Sequence, residues 1–454
     1  MIAVLALLLV SSAAAAVDLH PVPDMARVLT PRIQDTRDQV YPSIAYDGKD
    51  TLLVVWQQGT SHVGRPGGDI LAMRLDRNGK PLDPQPIRVS TAPGSQERPR
   101  VTFAGDRFFI VWQDFRSGKN WDVYFARVNP SGKLIDPGGK PLATGDRNQA
   151  MPVIAPAGDG ALALWLQYAD DGFYQIHGAL LQGSGKPKHR QALQPPPGTG
   201  ADWYGYTPGW GYGRSTLSPA AQPDVLRGGN LALTAVNGGW LLSWNDESNW
   251  APGKAGSLSR RVARLVDTGG EIRATAITRV PLFLWPRSTG RFASDGNDAL
   301  YVGLFHQGRG LGRQYGVTLV FNGNSSQPLP NPNADPQHGV GSGWDASHAS
   351  LPFGQQLQVS PPLAVAYQNG RYLVVAAGRA ALGRTNAHRL YGVRLDRKGK
   401  RVASAHGNVR VIYQGTRAPA NPALAPSGDG FLLAFEQEDA DGVRRIHILT
   451  IKGP

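Results

Sequence analysis

The sequence predicts an all-β fold built from seven copies of a four-stranded antiparallel unit. Three observations predict it: a composition hostile to helices, an internal repeat, and a match in length between the two ends of the chain. The chain has 454 residues, with 56 Gly and 36 Pro. Both residue types are poor in helix interiors, and no amphipathic helical pattern of useful length follows residue 20. Strand-length runs recur instead, among them TLLVVW, RFFIVW and RYLVVAAG. Gly, Asn, Asp and Pro bound them, as turn residues should.

The repeat decides the architecture. YPSIAYDGKDTLLVVW (Tyr41 to Trp56) matches RPRVTFAGDRFFIVW (Arg98 to Trp112), MPVIAPAGDGALALW (Met151 to Trp165), PPLAVAYQNGRYLVVA (Pro361 to Ala376) and NPALAPSGDGFLLAF (Asn421 to Phe435). Leu231 to Trp244 and Arg291 to Phe305 are divergent copies. Each copy reads as a short strand, a tight turn with Gly and a longer apolar strand. A polar loop, a third strand, a second turn and a fourth strand follow, best seen in Asp69 to Asp83, Asp122 to Asp136 and Leu390 to Val402. The turn glycines stand at Gly48, Gly105, Gly158, Gly238, Gly296, Gly370 and Gly428, spaced by 57, 53, 80, 58, 74 and 58 residues. Four-stranded antiparallel sheets repeated radially make a β-propeller. The last copy runs only 26 residues past Gly428, while 32 residues lie from Val17 through Gly48, and together they equal the 58-residue interval. The N-terminal strand Arg27 to Thr30 is therefore expected to complete the seventh blade and remove an open sheet edge. One domain, residues 17–454, is predicted.

The pattern of an apolar strand ending in Trp, then Asp-x-Arg, then a strand ending in Arg and a Gly turn, resembles the repeats of secreted bacterial β-propellers. The resemblance covers nearly the whole chain after residue 16 and implies architecture, not activity, because propellers host binding and many chemistries. There is no sialidase-type Ser-x-Asp-x-Gly-x-x-Trp repeat and no Trp-Asp ending of the intracellular scaffold kind.

Residues 1–16, MIAVLALLLVSSAAAA, read as a secretory signal with cleavage before Val17, so a secreted or periplasmic protein is expected. The apolar run is too short to span a bilayer. No cysteine is present, which excludes disulfides, thiolate metal sites and Cys nucleophiles. The formal charge is +13, spread without a run of five or more Lys or Arg. Such a balance suits acidic glycans or anionic surfaces, and equally serves solubility.

Strand order assigns the second-to-third and blade-to-blade connections to one face, and the short turns to the other. The expected insertions, about 194–222 and 324–360, are placed on the long-loop face, where ligands bind most readily. The first holds GADWYGYTPGWGYGR, with Trp203, Tyr204, Tyr206, Trp210 and Tyr212. Flat amphipathic rings suit stacking on sugars; the same segment could fold back and plug the channel. The second holds His338, Trp344, Asp345 and His348, a weak acid-base or metal pattern. Arg309 and Arg313, near His306 and Tyr315, form a basic corner able to neutralise a uronate. In WQDFRSGKNWDVYFARV (Trp112 to Val128), Asp114 and Arg116 read as a structural corner, while Lys119 and Trp121 are special to that copy and join the ligand-binding set. EDADG (Glu438 to Gly442) resembles part of a calcium loop without the distal Glu. No catalytic residue, metal ligand or cofactor is assigned. The expected function is a non-enzymatic binding propeller for a glycan or an extracellular or envelope protein, monomeric and without a nucleic-acid partner. The alternative is an extracellular lyase or glycoside hydrolase acting on acidic polysaccharide.

Overall fold

A computed structural model describes residues 17–18, 26–30, 35–60, 67–168, 174–190, 231–246, 260–268, 278–281, 290–306, 314–322, 349–350, 357–380, 388–400, 402 and 409–452. Every regular element among them is a β-strand. No helix of the described residues is long and apolar enough to cross a membrane. The signal-like residues 1–16 lie outside the described set.

The strands form antiparallel four-stranded sheets in chain order. The first holds Gln39–Tyr46, Leu52–Gln58, Asp69–Leu75 and Ile87–Ser90, and the second Gln96–Ala104, Arg107–Asp114, Asp122–Val128 and Lys140–Ala143. The third, fourth and fifth begin at Gln149, Ala232 and Arg291 and follow the same plan. The sixth, from Leu357 to Gly415, gains a fifth strand, Val17–Asp18, running parallel to Val409–Gly415. The last comprises Ala420–Ser427, Gly430–Glu438 and Arg444–Ile451, joined by Arg27–Val28, which pairs antiparallel with Arg27 opposite Ile448. The first strands of successive sheets pack on one another from Gln39–Tyr46 onward, and Ala420–Ser427 packs back on Gln39–Tyr46.

The long apolar second strands follow from burial on both faces. In Leu52–Gln58 every residue is buried. Leu52, Val54 and Trp56 share a core with Leu432, Ala434 and Ile448 of the last sheet. Leu53 and Val55 instead meet Phe108, Ile110 and Trp112 of the second sheet. Successive side chains point to opposite faces, so a strand covered on both sides reads as unbroken apolar sequence. The seven repeat glycines all have positive φ, from 53° at Gly428 to 97° at Gly296. At Gly48 (φ 77°) an added Cβ would meet nothing, so glycine is needed there for its dihedral alone.

Ala349–Ser350 pairs with the third strand of the fifth sheet, Val317 opposite Ser350. Most of the insertion expected at about 324–360 lies outside the described residues. A two-residue strand such as Ala349–Ser350 has no alternation for a sequence pattern to detect. The aromatic insertion expected at about 194–222 lies outside the described residues, between Pro187–Arg190 of the third sheet and Ala232–Val236 of the fourth.

Candidate functional site

Two sets of repeated contacts fix the sheets to one another, and a third group breaks the repeat. At the turn end, Arg74 Nε and Nη2 both donate to Asp83 Oδ1 (3.0 and 2.6 Å), and Nη1 donates to the Pro130 carbonyl of the next sheet at 2.8 Å. Arg127 repeats this with Asp136 and the Gly183 carbonyl. These arginines hold neighbouring sheets together, so the third-strand arginine is structural.

At the other end, the first strands carry a bulge. Tyr41, Arg98, Met151 and Asn421 all have φ between 45° and 56°. Each precedes a proline (Pro42, Pro99, Pro152, Pro422), and each coincides with a shift in strand register. Such a conformation costs about 1–3 kcal/mol for a non-glycine residue. Part of that is offset by a side chain from the preceding sheet. Gln57 Oε1 accepts the Arg98 N–H at 3.3 Å, Gln113 Oε1 accepts the Met151 N–H at 3.2 Å, and Glu436 Oε1 accepts the Tyr41 N–H at 2.7 Å. Glu436 is fully buried, accepts also from Asn421 Nδ2 at 2.6 Å and pairs with Arg444 at 3.1 Å. Burial pushes its pKa up, against these donors.

The corner after Trp112 is fully bonded. The buried Asp114 carboxylate accepts from Trp112 Nε1 (2.8 Å), from the Arg116 backbone N–H (2.9 Å) and from Arg116 Nε and Nη2 (2.9 and 2.7 Å). Arg116 reaches on to the Gly138 carbonyl and lies 3.9 Å above the Tyr124 ring. Its donors are committed to the fold. Trp121 is 7% exposed and packs against Phe115 in the core shared by the third and fourth sheets. Lys119 is exposed on the loop. Asp122 is 5% exposed. Burial, and then the neighbouring Asp114 charge, push its carboxyl up to about 6, against the Gly145 N–H and Asn120 amide that donate to it.

The acidic loop after Glu436 is committed as well. Asp441 and Asp439 pair with Arg445 at 2.6 and 3.0 Å, and Asp439 lies 2.9 Å from His447 Nε2. Hydrogen bonding to Arg445 holds Asp441 down at about 2. Trp203, Tyr204, Tyr206, Trp210, Tyr212, Arg309 and Arg313, together with His338, Trp344, Asp345 and His348, lie outside the described residues.

The break in the repeat lies on the first strands. Five residues before the turn glycine, the first strands carry Ser43, Val153, Leu233, Val365 and Ala423, but the second and fifth sheets carry Arg100 and Arg291. Arg98 stands beside Arg100 on the bulge, its guanidinium 4.8 Å from the centre of the Tyr41 ring. Its Nε is buried and makes no hydrogen bond. Arg100 donates from Nη1 to the Pro99 carbonyl at 3.0 Å. Among the described residues neither Arg98 nor Arg100 has a carboxylate partner. Burial pushes the Arg100 pKa well down, and the positive charges of Arg291 and Arg98 add to it. Sequence reading missed these three. For Arg100 and Arg291 the available signal was an arginine at a position that is small or apolar in the other five copies.

No family model matches the chain, and no curated protein matches it. Among solved structures, the chain is similar to a protein of unknown function from Dyadobacter fermentans (12% identity, 94% of this chain and 98% of that one, TM-score 0.44). It is also similar to the polysaccharide lyase Uly1 (9% identity, 93% and 90%, TM-score 0.45). The NanB sialidase from Streptococcus pneumoniae is a third (8% identity, 92% and 69%, TM-score 0.43). Likeness at this level carries no inference about ligand or reaction.

Proposed function

We propose that the chain is a secreted seven-bladed β-propeller that binds a glycan, or a glycan-bearing envelope or extracellular protein, at the end of the sheets opposite the tight turns. The Arg27–Val28 pairing and the packing of Ala420–Ser427 on Gln39–Tyr46 support a ring closed by the N-terminal strand. The observation that carries the binding reading is the length of the connections at that end. Second-to-third connections run to 10 residues after Gln58 and 13 after Asp246, whereas at the opposite end first-to-second connections hold two residues in five of the seven sheets and third-to-fourth ones reach 11 after Leu75 and Val128. The 41-residue segment 191–231 leaves from this same end. Trp203, Tyr204, Tyr206, Trp210 and Tyr212 would offer ring faces to sugars, with Lys119, Arg309 and Arg313 supplying charge. A glycan array probed with wild type, Trp203→Ala and Trp210→Ala tests it. Loss of glycan signal in the variants is expected; unchanged binding in both sinks the stacking reading.

A second reading, an extracellular lyase or hydrolase on acidic polysaccharide, is favoured by one observation, the uncompensated cations Arg98 and Arg100. Incubation with uronate polymers, followed as unsaturated product and as reducing ends, separates the two. Absence of turnover leaves the binding reading in place.

A further inference from the structure

We propose that Arg98, Arg100 and Arg291 form an anion site on the axis of the ring, which takes the oxoanion of an acidic sugar. The proposal deepens the glycan-binding reading and rests on it for the sugar. The anion chemistry rests on the arginines alone.

The placement follows from the repeat. Arg100 and Arg291 occupy the same position in the first strands of the second and fifth sheets, which are not neighbours. First strands are innermost, since each packs on the first strands of the sheets before and after it. Sheets three steps apart in such a ring turn this position towards one another, and the charges of Arg291 and Arg98 act on Arg100. The Arg100 guanidinium is enclosed by protein while its side chain keeps partial exposure, as at the wall of a narrow channel.

The site is also held in place. Glu436 of the last sheet fixes the Tyr41 backbone, and the Tyr41 ring fixes the Arg98 guanidinium by a cation–π contact. Three sheets thus hold Arg98 in place, and the fifth adds the charge of Arg291. A fold gains nothing from gathering like charges with a buried donor unmet. A planar oxoanion would supply what is missing, because a guanidinium presents its N–H groups as a fork matched to two oxygens. Carboxylate and sulfate share this chemistry, and the test separates them.

The experiment is thermal unfolding and calorimetric titration of the full chain with D-glucuronate, D-glucose 6-sulfate and D-glucose. Wild type, Arg98→Gln, Arg100→Gln, Arg100→Lys and Trp203→Ala are compared. One or both anions should bind and raise the unfolding midpoint, while glucose does neither; whichever anion binds names the group. Arg100→Gln and Arg98→Gln should each weaken binding by roughly ten-fold or more. Arg100→Lys, which keeps the charge and loses the fork, should weaken it as well. Without ligand, Arg100→Gln should unfold at or above the wild-type temperature, because a cation beside two others is removed. Glucose binding as well as glucuronate, no response to either anion, or undiminished binding in both Gln variants would each overturn the site. Anion binding that survives Trp203→Ala, while glycan-array signal is unaffected by that substitution, removes the aromatic reading and leaves the axial site standing.

Discussion

Replacing Asp122 by Asn should stabilise the protein at neutral pH and leave it unchanged in acid. Asp122 and Asp114 lie opposite each other in the register of the second sheet, both buried. Asp114 has Arg116 and the Trp112 indole; Asp122 has the Asn120 amide at 3.4 Å and the Gly145 N–H. The first sheet shows what is absent. Its equivalent carboxylate, Asp69, receives Arg37 Nη1 at 2.8 Å, and the position equivalent to Arg37 in the second repeat is Gly94. Burial therefore dominates, and the Asp122 pKa rises from 3.8 to about 6. The sign follows from proton linkage. The folded state holds its proton to a higher pH than the unfolded state, so stability is full below about pH 4 and falls as pH rises towards 6. At 1.36 kcal/mol per pH unit the loss above pH 6 approaches about 3 kcal/mol. An amide keeps one acceptor oxygen for the Gly145 N–H and carries no charge. Urea denaturation followed by tryptophan fluorescence at pH 4, 5, 6 and 7 reads the effect. Asp122→Asn should raise the midpoint at pH 7 by the equivalent of about 1–3 kcal/mol, with the difference vanishing near pH 4. A variant that is destabilised at pH 7, or whose difference does not change with pH, refutes the argument.

Gly132→Ala should cost about 1–3 kcal/mol in the same assay, because φ is 91° and the new Cβ would stand 2.7 Å from Arg74 Nε. Gly48→Ala, with φ 77° and open space, should cost about 1 kcal/mol, so the excess at Gly132 measures the Arg74 contact between sheets. Glu436→Ala should destabilise by about 3–5 kcal/mol, since it strands Arg444, the Tyr41 N–H and the Asn421 amide. Glu436→Gln, which restores the residue type of Gln57 and Gln113, should stay within about 1 kcal/mol and reduce the loss of stability with rising pH that the raised Glu436 pKa imposes. Equal costs for the Ala and Gln variants would show that Glu436 does not act through its acceptor oxygen.

The fold was legible because its repeat writes the same physical demand several times. A strand covered on both faces must be apolar throughout, and a two-residue turn must supply positive φ; TLLVVW beside a Gly turn states both. The fourth strands were less legible. Four or fewer residues, as in Ile87–Ser90 or Ala349–Ser350, carry too little alternation to reveal a face. The parallel pairing of Val17–Asp18 had no sequence signal at all. In the candidate site, loop residues drew attention through their type, and the inner strands were passed over because their composition is plain. Trp121 stood out as a ring on a loop, yet Phe115 and the core of the third and fourth sheets absorb it.

Repetition sorts structural charge from charge that needs another explanation better than residue type does. Asp114 and Arg116 look catalytic in isolation, but their donors and acceptors close on one another and on the Trp112 indole. Arg74 and Arg127 look like surface cations, but both reach a carbonyl of the next sheet from the same strand position. Each is reproduced or fully partnered, so the fold accounts for it. Arg100 is not reproduced in that way, and Arg291 stands at the same position in the fifth sheet. The other five copies fill this position with Ser, Val, Leu or Ala, and the two arginines bring like charges to bear on one another. Like charges so placed cost stability unless an opposite charge offsets them, which is the requirement that the proposed oxoanion would meet between the second and fifth sheets.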